Sequence, residues 1–257
     1  MRIITLTLIM LFLSGCSIFG DEKDDLEKLS AEELFSEAKD ALESGYYTKA
    51  VEHYEKLLAR YPFGKHSQQA QLDLAYAYYK SDEPESAVAA ADRFIKLYPN
   101  QRHVDYAYYL RGLANFNQGK GLTERYLPVD PSQRDQGAAM KSFQDFSALV
   151  HRFPKSKYLP DAQKRMIYLR NLMAQHEVHV ANYYMRRGAY VAAANRARYV
   201  VENYQRSPAM PEALVIMAKA YRILDMKDLS DDALRVLELN YPDHPGIEEV
   251  KSVRLRD

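Results

Sequence analysis

The sequence predicts an all-α protein, a solenoid of about five helical hairpins and ten helices. Three observations predict it. Gly is scarce, with 10 in 257 residues, while 47% of the chain is hydrophobic and long stretches are rich in Ala, Leu, Glu, Lys, Arg and Gln. Those side chains lose little rotamer freedom in a helix. Second, five apolar-periodic runs end alike: LLARYP at Pro62, FIKLYP at Pro99, LVHRFP at Pro154, VVENYQ at Gln205 and LELNYP at Pro242. An aromatic residue followed by Pro stops a helix, because Pro disfavours helical backbone at the residue before it. Third, small and aromatic residues recur ahead of each stop in a 34-residue frame.

The elements follow in order. Residues 1–16, MRIITLTLIMLFLSGC, carry Arg2 and then an apolar run from Ile3 to Leu13. That run is too short for the roughly 20 residues of a membrane-spanning helix and reads as a secretion signal over residues 1–15. Leu13-Ser14-Gly15-Cys16 looks like a lipobox, so Cys16, the chain's single cysteine, is expected to carry acyl chains. Two or more such chains anchor stably, at about 0.8 kcal/mol for each buried CH₂. Ser17 stands where an Asp would argue for inner-membrane retention, which favours the periplasmic face of the outer membrane. Residues 16–30 are acidic and poor in apolar side chains, and read as a flexible tether.

The hairpins start at Ala31. Residues 31–100 hold two units: Ala38, Gly45, Tyr47, Ala50, Tyr54 and Pro62 mark the first, and Ala75, Tyr78, Ala87, Ala91, Phe94 and Pro99 the second. Residues 101–157 hold the third, with Gly112, Gly119, Phe146, Leu149 and Pro154 and about 18 extra residues between its helices. Residues 158–244 hold the last two, marked by Ala181, Tyr184, Gly188, Tyr190, Ala193 and Val200, then Ala218, Tyr221, Leu234, Leu237 and Pro242. This is the tetratricopeptide pattern, in which small residues let two helices approach and no hairpin buries its apolar face alone. With no breaker after Pro160, the first helix of unit four should be long. The insertion at 119–135 contains two prolines and reads as a loop. Residues 245–257 read as a charged tail.

No catalytic set is readable, and no cofactor is expected. His176-Glu177-Val178-His179 spaces its histidines by three residues, where the zinc motif H-E-x-x-H needs four, so a solvated helix face is the expectation. Gly119-Lys120-Gly121 lacks the glycine and the strand that a phosphate loop requires.

Binding is the better prospect. The groove-facing positions of the first helices are Phe35, Asp73, Tyr76, Tyr79, Lys80, Tyr106, Tyr109 and Phe116, a set that would suit an extended peptide. The competing reading makes each tyrosine part of the core between repeats. Formal net charge is zero overall, yet residues 21–40 carry −6 and residues 151–206 carry +8. The basic fourth unit could meet an acidic protein face, lipid phosphates or wall carboxylates. Nucleic acid is not an expected partner.

The blocks YPFGKHSQQAQLDLAYAYYK, YYLRGLANF, FQDFSALVHRFPKSKY and VANYYMRRGAYVAAANR resemble the BamD family, tetratricopeptide lipoproteins of the β-barrel assembly machinery. The resemblance covers nearly the whole mature chain, and that family carries an insertion at the same place. It implies that the carboxy-terminal repeats dock through charge pairs on the POTRA domain of BamA nearest the barrel. Arg196, in GAYVAAANR, matches the family's docking position, with Arg186 and Arg187 beside it in the basic unit. It also implies that the amino-terminal repeats receive the carboxy-terminal segments of unfolded outer-membrane barrel proteins, and that BamC and BamE are accessory partners. The alternative is a peptidoglycan-associated adaptor lipoprotein that organises cell-wall enzymes.

Overall fold

The structure is a computed structural model that describes residues 28–118 and 130–253. The secretion signal, Cys16, most of the tether, the first part of the insertion and the last four residues lie outside them. Among the described residues there are eleven α-helices and one short 3₁₀ turn. They are α1 (Ala31–Glu43), α2 (Tyr47–Arg60), α3 (Ser67–Lys80), α4 (Pro84–Leu97), α5 (Val104–Asn117), α6 (Gly137–Arg152), α7 (Leu159–Arg186), α8 (Tyr190–Asn203), α9 (Met210–Ile223), α10 (Lys227–Asn240) and α11 (Gly246–Ser252). The first ten pair as the five expected hairpins, and α7 is long, at 28 residues. The chain divides into two compact units at Leu110 and Arg111, within α5.

In both units the hairpin is built on one pair of small residues. Ala38 faces Ala50, Ala75 pairs with Ala87, Ala181 with Ala193, and Ala218 with Ser230, each fully buried. Hairpin three uses Gly112 and Ser142, and the Ser142 hydroxyl donates to the Gly112 carbonyl at 2.9 Å. Ser230 repeats the bond to Ala218 at 3.0 Å. A Cβ on Gly112 would lie 2.6 Å from the Phe146 ring, so only Gly allows α5 and α6 this approach. Two helical turns further along each second helix sits a large apolar residue: Leu57, Phe94, Leu149, Val200 and Leu237, all at most 1% exposed.

The turns within hairpins share a left-handed residue seven positions after the first small one: Gly45, Asp82, Gly188 and Asp225, with φ between 58° and 81°. Each is followed by an amide that donates back five residues, as Tyr46 does to Ala41 at 2.8 Å. Turns between hairpins follow the aromatic-stop rule. Tyr61, Tyr98, Phe153, Tyr204 and Tyr241 cap α2, α4, α6, α8 and α10 with extended-side ψ between 40° and 65°. The entry to α1 is fixed by a capping box, in which Ser30 and Glu33 exchange backbone-to-side-chain bonds of 2.8 and 3.3 Å.

Two expectations are corrected. The insertion is not wholly loop, because Pro131–Gln133 forms the 3₁₀ turn, closed by Asp130 accepting from the Ser132 amide. Within the charged tail, Gly246–Ser252 is a helix whose Ile247 and Val250 bury against Leu214, Val215 and Ala218 of α9. Glu248, Glu249 and Lys251 face away from that contact, so the charged composition concealed an amphipathic turn.

Candidate functional site

In the first unit, α1 and α3 present the candidate peptide-binding side chains. Phe35 is half-buried, with its ring stacked on His66 at 4.4 Å and edge-on to Tyr54 at 6.2 Å. Asp73 accepts from the Tyr54 hydroxyl at 3.4 Å and from the Gln69 amide at 2.7 Å. Burial raises the Asp73 carboxyl above its ordinary range, and these two donors only partly offset that. Tyr54 is completely buried, and its phenol is pushed up by burial and by Asp73.

The tyrosines do not stand clear of the core. Tyr76, Tyr79 and Tyr106 are half-buried against a cluster of Ala75, Ala90, Ala91 and Leu110. Tyr109 is half-buried as well. Lys80 is exposed and holds its ammonium 5.3 Å above the Tyr47 ring. Each aromatic thus offers one edge outward while the rest of the ring packs between repeats. Phe116 belongs to the second unit, where it lies 5.7 Å from the Tyr168 ring and 4.9 Å from the Arg165 guanidinium. It lines a cavity of about 620 Å³ with Asn115, Arg134, Gln136 and Leu172.

The basic fourth hairpin is arranged otherwise. Arg186 and Arg187 are exposed at the end of α7. Arg196, on α8, reaches back to α7 and pairs with Glu177 at 3.0 Å. Its side chain is 47% exposed while Glu177 is only 14% exposed. The carboxylate holds the guanidinium charge more firmly than usual and fixes its direction, leaving about half of the fork open to solvent. Tyr183 near the end of α7, and Val191 and Tyr199 on α8, are exposed apolar or aromatic surface of the same hairpin.

His176 and His179 are not a solvated face. A ring nitrogen of His176 meets the Ser132 carbonyl at 2.8 Å, and one of His179 meets the Asp130 carboxylate at 3.2 Å. Asp130 lies below the ordinary carboxylate range, chiefly through its bonds from Ser132 and in lesser part through His179. The two histidines tie the end of the insertion to α7. Among the described residues no group of three His, Cys, Asp or Glu is placed to hold a metal ion.

Sequence reasoning missed a buried network in hairpin three. Arg111 pairs with Asp145 at 2.6 Å, and the Asn115 amide donates to the other oxygen of Asp145 at 2.7 Å. Asp145 sits 30 or more residues from Arg111 and Asn115, across the insertion, and no local signal pairs it with them.

This arrangement contains exposed charge and partly exposed aromatic side chains, and comparison with known proteins gives it a context. The family model described as YfiO, outer membrane lipoprotein, matches residues 27–237. The chain belongs to this family. It is 45% identical over 242 residues to the outer membrane protein assembly factor BamD of Neisseria meningitidis serogroup B, covering 93% of this chain and 91% of that protein. It is 38% identical to the protein of the same name from Xylella fastidiosa, over 94% of this chain and 82% of that one. With the BamD of Vibrio cholerae serotype O1 the identity is 37%, over 89% and 93%. The YfiO match spans all five hairpins up to Leu237. Among the described residues no helix is long and apolar enough to cross a membrane.

Proposed function

We propose that this protein is a lipid-anchored periplasmic scaffold of the β-barrel assembly machinery, a binding protein that performs no chemistry of its own. The observation that carries this is the 45% identity, over nearly the whole of both chains, to an outer membrane protein assembly factor. Cys16 carries the lipid that holds the chain to the outer membrane. Hairpins four and five dock on a POTRA domain of BamA, and BamC and BamE join as accessory lipoproteins. The amino-terminal repeats receive the carboxy-terminal segments of unfolded barrel proteins.

The physical support is local. Arg196 is prepositioned by Glu177, so a partner carboxylate meets a guanidinium that has already lost most of its rotamer freedom. Arg186 and Arg187 extend the positive surface and would raise the rate of encounter with an acidic partner. The half-buried edges of Phe35, Tyr76, Tyr79, Tyr106, Tyr109 and Phe116, with Asp73 and Lys80, supply contact area that costs little entropy to fix. The test is Arg196→Glu in cells that depend on this protein. Barrel-protein levels in the outer membrane should fall while the protein itself stays folded and abundant. Unchanged barrel assembly would remove Arg196 from the docking role.

A further inference from the structure

The edge of the first unit that holds the turns between hairpins differs chemically from the opposite edge. Consecutive helices reverse through short turns, so the α2–α3 and α4–α5 turns fall on one edge, and the α1–α2 and α3–α4 turns on the other. The first pair reads RYPFGKH over 60–66 and KLYPNQRH over 96–103, with Arg60, Lys65, Lys96 and Arg102 and no carboxylate. The second pair, taken with the helix ends as the first is, reads ESGY over 43–46 and YKSDE over 79–83, with three acids and one base. The basic edge also carries Phe63, which is 94% exposed, and Leu97, which is 52% exposed. A phenyl ring at a turn tip, so little covered by its own protein, contributes nothing to the core.

The chain's own path indicates what that edge meets. Arg60 donates to the Leu29 carbonyl at 3.0 Å and so fastens the point where the amino-terminal segment joins the first hairpin. Glu32 and His66, 2.8 Å apart, tie the start of α1 to the same α2–α3 turn. The segment before Leu29 therefore departs from the edge that bears Phe63. Cys16 is twelve residues ahead of Lys28. A span of that length reaches about 40 Å at full extension and about 20 Å as a coil, and so keeps the first hairpin close to the bilayer.

We infer that this edge is a membrane-contact surface, with Phe63 entering the lipid–water interface and Arg60, Lys65, Lys96 and Arg102 meeting anionic phospholipid headgroups. The inference rests on the lipid anchor proposed above, because the anchor supplies the high local concentration of bilayer. An exposed aromatic beside cations is a composition that partitions to headgroup level, and carboxylates at this edge are already engaged, Glu32 with His66 and Asp92 with Lys96. Each Lys or Arg near an anionic surface strengthens that attraction. One acyl-anchored end and a second interfacial contact would fix the orientation of the first unit on the membrane, where an anchor alone leaves it free to turn.

The chain contains no Trp, so one introduced indole is a clean reporter. The acylated protein would be reconstituted into vesicles of phosphatidylethanolamine and phosphatidylglycerol as Phe63→Trp, Leu97→Trp or Tyr46→Trp. Tyr46 is 68% exposed and lies on the opposite edge. Brominated acyl chains should quench Phe63→Trp several-fold more than Tyr46→Trp, with Leu97→Trp in between. Adding Lys65→Glu and Arg102→Glu should abolish the difference. Equal quenching at 63 and 46 in acylated, vesicle-bound protein would overturn the inference and leave the anchor standing. An intact mass showing Cys16 unmodified would overturn the anchor and this inference with it.

Discussion

Hairpins two and four both carry candidate contact residues, but they hold them in opposite ways. In hairpin two and the start of α5, Tyr76, Tyr79 and Tyr106 are packed into the inter-repeat cluster and offer only an edge. In hairpin four, Arg186 and Arg187 stand off the core, and Arg196 is tethered mainly through Glu177, with Tyr184 contributing less. The first arrangement makes recognition inseparable from stability, since removing a ring also opens a void. The second lets charge change with little effect on folding. A surface that must accept many sequences gains from rigid aromatics, whereas a surface for one permanent partner gains from charges that set register.

The sharpest way to break this comparison is at Arg196. Arg196→Glu should weaken recovery of the docking partner by about 3 kcal/mol, roughly a hundred-fold, as reversal of a partly buried charge pair does. Thermal unfolding should fall by only a few degrees, because Arg196 is half-exposed, although Glu177 at 14% exposure loses its partner to a like charge. A large stability loss would place Arg196 with the structural residues. Next in size is Tyr106→Ala, expected to cost about 2 kcal/mol in urea unfolding. Tyr76→Phe, which keeps its ring on the same cluster, should cost little in folding, so a loss of substrate-peptide crosslinking in that variant reports recognition.

A smaller effect is expected from His176→Ala with His179→Ala, about 1 kcal/mol in total from two lost hydrogen bonds. Hydrogen exchange should accelerate at residues 130–136 and remain unchanged in hairpin five. Exchange unaltered at 130–136 would mean the histidines do not hold the insertion. The smallest effect concerns Asp73. Its carboxyl is raised by burial, so the folded state holds that proton more tightly than the unfolded chain does. The sign follows: Asp73 favours folding at low pH, and that contribution is lost as pH rises through the raised value. Asp73→Asn keeps an acceptor for Tyr54 and should slightly raise the melting temperature at neutral pH, with the gain vanishing in acid. A gain that persisted in acid would point to packing instead of charge.

The periodic features were legible and the long-range ones were not. The aromatic-Pro stops, Ala38 with Ala50 and Ala181 with Ala193 are repeated at fixed spacing, so tandem repetition made them stand out even where one copy would be weak. Asp82 and Asp225 take the left-handed position that Gly45 and Gly188 fill elsewhere, and Asp signals that conformation less strongly than Gly. Ser142 and Ser230 fill small positions with a hydroxyl that finds a carbonyl, so a frame defined by Ala passed over them. The capping box at Ser30 and Glu33 was readable as S-x-x-E and is the one local signal that went unused. At the candidate site, positions could be placed on helices from the frame, but their partners could not. Glu177 for Arg196, Ser132 for His176 and Asp145 for Arg111 are all contacts between helices or across the insertion.

The central claim, that this chain is a scaffold of barrel assembly, is tested most directly by purifying the tagged, acylated protein from detergent-extracted membranes and identifying its companions by mass spectrometry. The account predicts a POTRA-containing barrel protein in stoichiometric amount, lost with Arg196→Glu. Recovery of cell-wall hydrolases without that barrel protein would contradict it.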